Sequence, residues 1–378
     1  MRSFTALAIV LICFLQSCEK DPYIPVSTSF YNSYSGIGNL YGRDILKRGN
    51  GFIVCGYGNG PANDEDLLLL ETDSMGGEIA RHFVGTAGND QCWSFVKSSD
   101  GGYVIAGWTD VNAAGVSNDV LIVKTDAGGN QQWSRIYGGA YNDLATDIIA
   151  VDGGYVVAAI KGTNTDENSW ILRLDANGDT LWTFTYGGNS SDGAMALCDN
   201  GNGTYGITGY TNSSGNGSTD GYAMIVNDAG QMLHYWPFGT PQYEEPHCIS
   251  HTANGWIISG HAGTTDIHTH NMFLQFISTT GEVGKFLTYG DHEHDGAEAM
   301  VVYRNEIYMA GRSASHDPLQ DGFFVHTDIE GNEIARAWIG SHNEDPVYGL
   351  YVDDFQVLFT GYVLNPSSGR ASLILVRK

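Results

Sequence analysis

Six carboxylates recur at one position of this sequence and have the chemistry to bind a cation. Each follows, by five residues, the glycine that ends a strand-like run. We call them the crown carboxylates, and they are Asp90, Asp143, Asp192, Glu244, Asp295 and Asp345. Carboxylates gathered around a narrow opening suit a hard ion such as Ca²⁺. Alternatively, each side chain accepts backbone N–H groups inside its own turn. We favour the turn role because it requires no partner.

Histidines form a second candidate set. Ten of the twelve histidines lie between His247 and His342. Six of them fall in turns: His268, His270, His292, His294, His316 and His342. Imidazoles with nearby carboxylates suit Zn²⁺ or a similar borderline metal. No spacing here matches an established zinc motif, so solvated loop histidines are the alternative and the reading we favour.

Three aromatic residues, Trp108, Tyr141 and Tyr243, are expected in turn regions, where they could stack on sugar rings. Packing within the turns is the alternative, since scattered exposed aromatics are common. The chain has no GxSxG, HExxH, Walker or kinase motif, so no enzyme class is indicated. A pair of rim carboxylates acting on a glycan remains an alternative.

A repeat positions all of these residues. Short apolar segments end at Gly56, Gly107, Ala159, Gly209, Gly260, Gly311 and Gly361, with spacings of 50 to 52 residues. Each copy contains four strand-like runs separated by turns rich in Gly, Asn and Asp. Seven such units predict an all-β fold, a seven-bladed β-propeller with four antiparallel strands per blade.

The seventh copy lacks its fourth strand because the chain stops after "SLILVRK" at 372–378. Residues 25–36, which precede the first copy, are predicted to supply that strand and so remove two open sheet edges. In a propeller, the turns between blades and the turns between the second and third strands lie on one rim. The crown carboxylates, the six histidines and the three aromatics are therefore expected together there, where binding loops usually gather.

Two resemblances attach to these repeats. The segments "DAGGNQQW" (126–133) and "DANGDTLW" (175–182) resemble the Asp-x-x-x-Gly-x-x-x-Trp signature of quinoprotein-type propellers, in which the Trp packs between blades. "GGYVVAA" and "YGG" are similar to repeats of surface proteins of Bacteroidota. The resemblance implies the scaffold alone, and it implies no pyrroloquinoline cofactor, because the sequence has no adjacent cysteine pair.

The N-terminus is similar to that of bacterial lipoproteins. An apolar run too short to span a bilayer ends at "LQSC" (15–18). The resemblance implies a signal peptide over 1–17, lipidation of Cys18, a tether over 18–24 and the propeller over 25–378. The charged residues after Cys18 resemble a surface-export signal. An ordinary signal peptide with a free Cys18 is the alternative.

Composition limits the partners. The chain has 43 acidic and 18 basic residues and a net charge of −25, which argues against nucleic acid because phosphates would be repelled. The other four cysteines outside the signal segment, Cys55, Cys92, Cys198 and Cys248, are scattered in apolar runs. They are expected to be buried free thiols.

Three functions remain open from the sequence. The first is a binding or scaffolding lipoprotein of the outer membrane, exposed at the cell surface, whose rim engages an integral outer-membrane protein or a glycan. The second is an extracellular glycan hydrolase or lyase that uses rim carboxylates. The third is metal binding through the histidine-rich sector. We favour the first, since no catalytic motif is present.

Overall fold

The short β-branched and aromatic runs of the sequence form strands throughout the residues that the computed structural model describes, which are 30–111, 117–263, 269–290, 294–314, 320–340 and 344–377. These residues contain 28 strands in seven four-stranded antiparallel sheets. The predicted seven-bladed β-propeller is confirmed. None of the described residues form a helix with the length and apolar character needed to cross a membrane.

The first four blades follow the chain in order, with strands numbered from the channel outward. Blade 1 has β2 (Leu40–Arg48), β3 (Gly51–Asn59), β4 (Glu65–Thr72) and β5 (Glu78–Val84). Blade 2 has β6 (Asp90–Lys97), β7 (Tyr103–Thr109), β8 (Asp119–Thr125) and β9 (Gln131–Tyr137). Blade 3 has β10 (Asp143–Val151), β11 (Gly154–Gly162), β12 (Glu167–Asp175) and β13 (Thr180–Tyr186). Blade 4 has β14 (Asp192–Asp199), β15 (Thr204–Thr211), β16 (Asp220–Asn227) and β17 (Met232–Phe238).

The last three blades complete the circle. Blade 5 has β18 (Glu244–Thr252), β19 (Gly255–Gly263), β20 (His270–Ser278) and β21 (Val283–Tyr289). Blade 6 has β22 (Asp295–Tyr303), β23 (Glu306–Ser313), β24 (Asp321–Asp328) and β25 (Glu333–Ile339). Blade 7 has β26 (Val347–Asp353), β27 (Gln356–Asn365), β28 (Arg370–Arg377) and, at its outer edge, β1 (Phe30–Tyr34) from the start of the chain.

Burial along the strands explains their sequences. The third strand of blade 2, β8, is buried at every position, because neighbouring sheets cover both of its faces. The outermost strand of blade 3, β13, alternates between exposed and half-buried residues, because one of its faces meets solvent. Inner strands therefore have continuous apolar runs, and outer strands have the two-residue alternation of a half-exposed strand.

The core is divided among the blade interfaces. The described residues form seven apolar clusters, and each cluster joins two neighbouring sheets, including the pair of blades 7 and 1. Cys55 and Cys92 lie in the cluster between blades 1 and 2 as free thiols, with their Sγ atoms 2.7 Å apart. Cys198 and Cys248 are free and half-buried. Packing between blades is thus repeated around the whole ring.

The chain's beginning closes this ring. β1 pairs antiparallel with β28, from Phe30 opposite Arg377 to Tyr34 opposite Leu373. The predicted closing strand is therefore confirmed for residues 30–34, while 25–29 lie outside the described residues. Tyr34 also donates a hydrogen bond of 2.5 Å to the carbonyl of Gly76 in blade 1, which ties the closing strand to the next blade.

A β-bulge interrupts every innermost strand at the same place. The register with the second strand shifts, for example, between Cys92 and Ser94 and between Pro246 and Cys248. The bulged residue lies three positions after the crown carboxylate in six blades and three positions after Leu40, at the equivalent place, in blade 1. We call these seven residues the channel ring, and they are Arg43, Trp93, Thr146, Met195, His247, Glu298 and Tyr348. A bulge re-aims one side chain without ending the sheet.

Candidate functional site at the channel mouth

The crown carboxylates lie at one rim, where the innermost strands begin, and all six are almost completely buried. Asp90 accepts the Thr86 N–H at 2.5 Å and its hydroxyl at 2.9 Å. Glu244 accepts the same two groups from Thr240, at 3.0 and 2.5 Å. Asp192 accepts the Gly188 N–H at 2.7 Å. Burial raises the pKa of Asp143 to about 6.

Each of these contacts lies within a single blade or the turn before it, and none joins two crown carboxylates. Among the residues that the structure describes, no three crown carboxylates converge at distances suited to an ion. The geometry favours the turn role for Asp90, Asp192 and Glu244, because each accepts a hydrogen bond from the turn just before it. Asp143 and Asp192 also accept hydrogen bonds from Gly162 and Ser213, which lie at or just after the end of the second strand of their own blades. Calcium binding by the crown stays a prediction.

The histidine sector is described only in part. His268, His292, His316 and His342 lie outside the described residues. His270 and His294 come from neighbouring blades, with ring centroids 5.0 Å apart. Together with His261, Arg312 and Gln320 they line a cavity of about 230 Å³. The structure therefore brings two of the six predicted histidines together, and it adds His261 to them.

The three predicted aromatics lie at the same rim but in different settings. Trp108 is half-buried and pairs across the sheet with Gln91. Tyr141 is 45% exposed in the turn before β10. Tyr243 stacks on His270, with ring centroids 5.4 Å apart, and its hydroxyl contacts Glu245. Only Tyr243 of the three borders the central cavity described next.

That central cavity, the funnel, has a volume of about 340 Å³ and is shared by blades 2 to 5. Its apolar and aromatic lining residues include Trp93, Leu144, Ile160, Met195 and Tyr210. Polar groups among them include Thr146, Glu167, Tyr243 and Glu245. Tyr210 donates a hydrogen bond to Glu167 at 2.8 Å, which fixes both side chains at the edge. Residues from four blades can line one cavity only where the blades converge, at the channel.

An aromatic sector adjoins the funnel. Arg43 of the channel ring lies over the rings of Tyr348 and Trp93, with its guanidinium 4.4 and 4.9 Å from the two centroids. The Tyr57 ring lies 5.6 Å away on the same blade. Arg43 Nε has no hydrogen-bond partner among the described residues. Aromatic faces attract a cation, so the three rings hold this guanidinium in place.

A charged cluster lies on blades 5 and 6, beside blade 7 of the aromatic sector. We call it the His–Glu cluster, and it consists of Glu245, His247, His261, Glu298 and Arg312. The two imidazoles stack, with centroids 4.5 Å apart and planes 20° apart. Glu298 Oε2 lies 3.4 Å from His247 Nδ1, and its Oε1 lies 3.3 Å from His261 Nε2. Arg312 Nε is 3.2 Å from the same Oε1.

The surroundings set the charges of this cluster. Burial opposes ionisation of Glu298, but His247, His261 and Arg312 outweigh it and hold the pKa of Glu298 well below its usual range. Burial lowers the pKa of His247, although the Glu298 carboxylate acts in the other direction. The cluster thus combines an ionised carboxylate with an imidazole that favours its neutral form.

Comparisons with known proteins identify no family for the chain. No protein-family model and no curated protein sequence matches the chain. Among solved structures, 374 chains match. One is the subtype N11 neuraminidase-like protein of A/flat-faced bat/Peru/033/2010 (H18N11), with a TM-score of 0.48 and 13% sequence identity over 92% of each chain. This likeness in architecture assigns no activity to the present chain.

The residues that face the channel were not predicted from the sequence. A repeated pattern identifies residue types that recur in every copy. It therefore does not indicate the channel-facing residues His247, His261, Glu298 and Arg43, which occur once each at their positions. The channel ring recurs in position but differs in type from blade to blade. Its signal in the sequence is the place three residues after each crown position, where an otherwise repetitive unit varies.

Proposed function

We propose that this chain is a lipid-anchored binding protein of the bacterial outer membrane that takes part of a glycan into the funnel. The supporting observation is the lining of the funnel, which combines aromatic and apolar side chains such as Trp93, Met195 and Tyr210 with the carboxylates of Glu167 and Glu245. A concave, mostly apolar site with a few convergent polar groups is the usual form of a small-ligand pocket, and a volume of about 340 Å³ lies within the common range of roughly 300–1,000 Å³.

The chemistry of the funnel favours a sugar over a peptide segment. Trp93 and Tyr210 offer flat faces to the apolar side of a sugar ring, and Glu167 and Glu245 offer acceptors for hydroxyl groups. The innermost strands at the funnel are edge strands of their sheets, but each has a β-bulge there that interrupts the row of backbone groups an extended peptide would need for pairing. The protein-partner hypothesis would instead use the rim loops.

A glycan array followed by calorimetry tests this proposal. The chain without residues 1–24 is expected to bind at least one glycan, and Trp93→Ala is expected to weaken the affinity at least tenfold through lost stacking surface. Phe355→Ala is the matched control, because Phe355 is 87% exposed in the β26–β27 turn at the opposite rim. Absence of binding across the array, or equal losses in both variants, would contradict the proposal.

Lipid anchoring is a separate part of the proposal and has its own test. Radioactive palmitate is expected to label the wild-type chain in its native host, and Cys18→Ala is expected to remove the label and release the protein from membranes. Protease treatment of intact cells reports the leaflet, since only a surface-exposed propeller is digested. An unlabelled wild-type chain would contradict lipidation without affecting glycan binding.

A glycan hydrolase or lyase is the second candidate. The observation that favours it is the position of two carboxylates about one imidazole, since Glu245 lies 3.7 Å from His247 Nε2 and Glu298 lies 3.4 Å from His247 Nδ1. Positioned carboxylates and imidazoles are the usual general acids and bases. Product formation from the glycans that bind would establish this function, and binding without products would exclude it for those glycans.

A further inference from the structure

The His–Glu cluster contains two buried nitrogens that make no well-formed hydrogen bond within the described residues. His261 is 5% exposed, the His247 side chain is 12% exposed, and the Nε2 atom of each is buried. Carboxylate oxygens lie near both nitrogens, Glu298 Oε1 at 3.3 Å from His261 and Glu245 Oε1 at 3.7 Å from His247, but neither contact has the geometry of a hydrogen bond. Buried polar atoms are nearly always paired, because an unpaired one forfeits its hydration. Two such atoms on stacked imidazoles suggest that a ligand completes the cluster.

The spacing of the candidate ligand atoms matches a metal ion better than a hydrogen-bonded network. Glu245, His247 and His261 each offer one ligand atom, and the three atoms lie within 4.8 Å of one another. His247 Nε2 and Glu245 Oε1 are 3.7 Å apart, which is long for a hydrogen bond. Two ligands of a tetrahedral zinc ion, each about 2.1 Å from the metal, are roughly 3.4 Å apart. Side-chain rotations that shorten the separations, which are at most 4.8 Å, would complete such a site.

Glu298 and Arg312 provide the support that metal-binding histidines usually have. A ligating imidazole commonly donates its other N–H to a carboxylate, which fixes the tautomer. Glu298 Oε2 lies 3.4 Å from Nδ1 of His247, the nitrogen remote from Glu245, so Nε2 is left with its lone pair. Arg312 lies 3.2 Å from Glu298 and balances its charge.

We infer that Glu245, His247 and His261 bind a divalent transition-metal ion of the zinc class, with Glu298 as a positioning residue. Two imidazoles and a carboxylate suit Zn²⁺ and neighbouring first-row ions, whereas Ca²⁺ and Mg²⁺ prefer oxygen ligands alone. Three protein ligands leave at least one coordination position open. Glu245 also borders the funnel, so that position is accessible to an external ligand with a carboxylate or hydroxyl oxygen.

This site differs from the histidine sector expected from the sequence. Its ligands lie on the inner strands β18 and β19, and none belongs to the six rim-turn histidines. The site does not depend on glycan binding. Failure of the glycan array would leave it intact, and failure to bind metal would leave the glycan proposal intact.

Metal titration without an affinity tag tests the inference. The chain without residues 1–24 is stripped with a chelator and titrated with Zn²⁺, and Co²⁺ serves as the spectroscopic probe. One equivalent of Zn²⁺ is expected to bind, and Co²⁺ is expected to show the visible absorption of a site with nitrogen and oxygen ligands. His247→Gln combined with His261→Gln is expected to weaken Zn²⁺ binding at least 100-fold.

Control variants separate this site from other histidines. His326→Gln removes a histidine that pairs with Glu306 at 3.0 Å on blade 6, and it is expected to bind Zn²⁺ as the wild type does. His270→Gln combined with His294→Gln tests the rim sector and is also expected to retain binding. Glu298→Gln is expected to weaken binding 10- to 100-fold and to shift the Co²⁺ spectrum, which a purely structural role would not do.

Several results would overturn the inference. They are less than about 0.1 equivalent of bound Zn²⁺, unchanged binding in the His247/His261 double variant, or binding lost only in the His270/His294 double variant. If the His247/His261 variant does not fold, Zn²⁺ binding by Glu245→Gln tests the ligand set instead. This variant is expected to fold, because Glu245 is half-buried and borders the open funnel. Wild-type affinity in a folded Glu245→Gln chain would exclude the proposed ligand set.

Discussion

At the scale of single residues, two carboxylates just beyond the channel ring connect inner strands. Asp44 Oδ1 accepts the Ile45 N–H at 2.7 Å. Asp147 accepts the N–H of Leu197 in blade 4 and the hydroxyl of Ser94 in blade 2, both at 2.8 Å. Both carboxyls keep some accessible surface because they face the channel, although protein surrounds them. Asp147 therefore bridges blades on either side of its own.

Asp44 is expected to make stability depend on pH. Burial, with a further contribution from Asp147, raises its pKa to about 7, against 3.8 for an ordinary aspartate. A raised folded-state pKa means that the folded chain holds a proton that the unfolded chain has released. The contribution of Asp44 to the free energy of unfolding is therefore fully present below about pH 4. It decreases as the pH rises and is lost once the pH has passed about 7.

Denaturant unfolding of the wild type and Asp44→Asn at pH 5 and pH 8 measures this effect. The neutral amide still accepts the Ile45 N–H, so the variant is expected to gain about 1–2 kcal/mol relative to the wild type between the two pH values, a figure reduced for the water-accessible channel. Asp66 and Asp143 also have pKa values raised to about 6. Both residues are present in the wild type and in the variant, so their contributions to the pH dependence cancel in the comparison. Parallel pH profiles would refute the assignment.

The sequence allowed the crown to be located but not the His–Glu cluster. Crown residues recur at a constant distance from a glycine, and that recurrence reflects a local turn, which a linear pattern can reveal. The contact of Glu298 with His247 and His261 joins residues 51 and 37 positions apart in the chain. Such contacts follow from bulges that turn side chains inward, and no residue type at the bulge is constant.

At the scale of secondary-structure elements, the turn between the third and fourth strands of a blade receives a side chain from the preceding blade. Gly178 in the β12–β13 turn has a φ of 83°, and a Cβ placed there would lie 2.9 Å from both Trp133 and Arg135 of blade 2. Tyr137 also donates a hydrogen bond to the Gly178 carbonyl. Glycine is thus required for both its backbone conformation and the close approach.

The Trp133 and Trp182 signature was correctly expected to mark packing between blades, since Trp182 lies against Gly230 of blade 4. In other blades, the contact with the equivalent glycine comes from a residue two positions further along the outer strand. His82 approaches Gly129, and Trp236 approaches Gly281. Side chains two positions apart on a strand lie on the same face, so either position can reach the glycine of the next blade.

Substitution of two glycines separates backbone strain from contact between blades. Gly178→Ala is expected to destabilise the fold by about 2–4 kcal/mol, from the left-handed backbone and the clash with Trp133. Gly153→Ala is the matched control, because Gly153 has a φ of 75° and a methyl group added there would have no atom within 4 Å. It is expected to cost about 1 kcal/mol. Equal losses in urea unfolding would show that the contact contributes nothing.

At the scale of the whole molecule, the ends of the chain meet in one sheet. Arg377 donates hydrogen bonds to the Ser74 carbonyl in blade 1 and to Gln356 Oε1 in its own blade, both at 3.1 Å. Its guanidinium lies 4.9 Å from the Phe30 ring of β1. The final strand is thus attached both to the first blade and to the closing strand.

Removal of the closing strand is expected to open the ring. A chain that begins at residue 37 lacks β1 and exposes the edge of β28, which then can pair with another molecule. Its melting temperature is expected to fall by about 5–10 °C, with dimers or larger species in size-exclusion chromatography. A chain that begins at residue 25 keeps β1 and serves as the control. A stable monomer from the shorter chain would contradict this role for β1.

The architecture was predictable because it follows from a period. A spacing of 50 to 52 residues with four strands per unit leaves a radial arrangement as the economical solution. The incomplete seventh copy pointed to closure by residues 25–36, of which 30–34 form the closing strand. The long turns between the second and third strands were less informative. Their lengths and compositions differ between blades, and a local pattern does not specify how such loops meet over the channel.

The bulge in each innermost strand has a consequence for how this protein can change. It lifts one side chain out of every sheet, while the paired residues on either side keep their partners. Pairing within each blade and the lining of the channel therefore depend on different residues of each innermost strand. Exchange of a channel-ring side chain is expected to alter the channel lining and contacts between inner strands, such as the hydrogen bond from Thr146 to the Ala194 carbonyl, while the pairing within each blade stays in place.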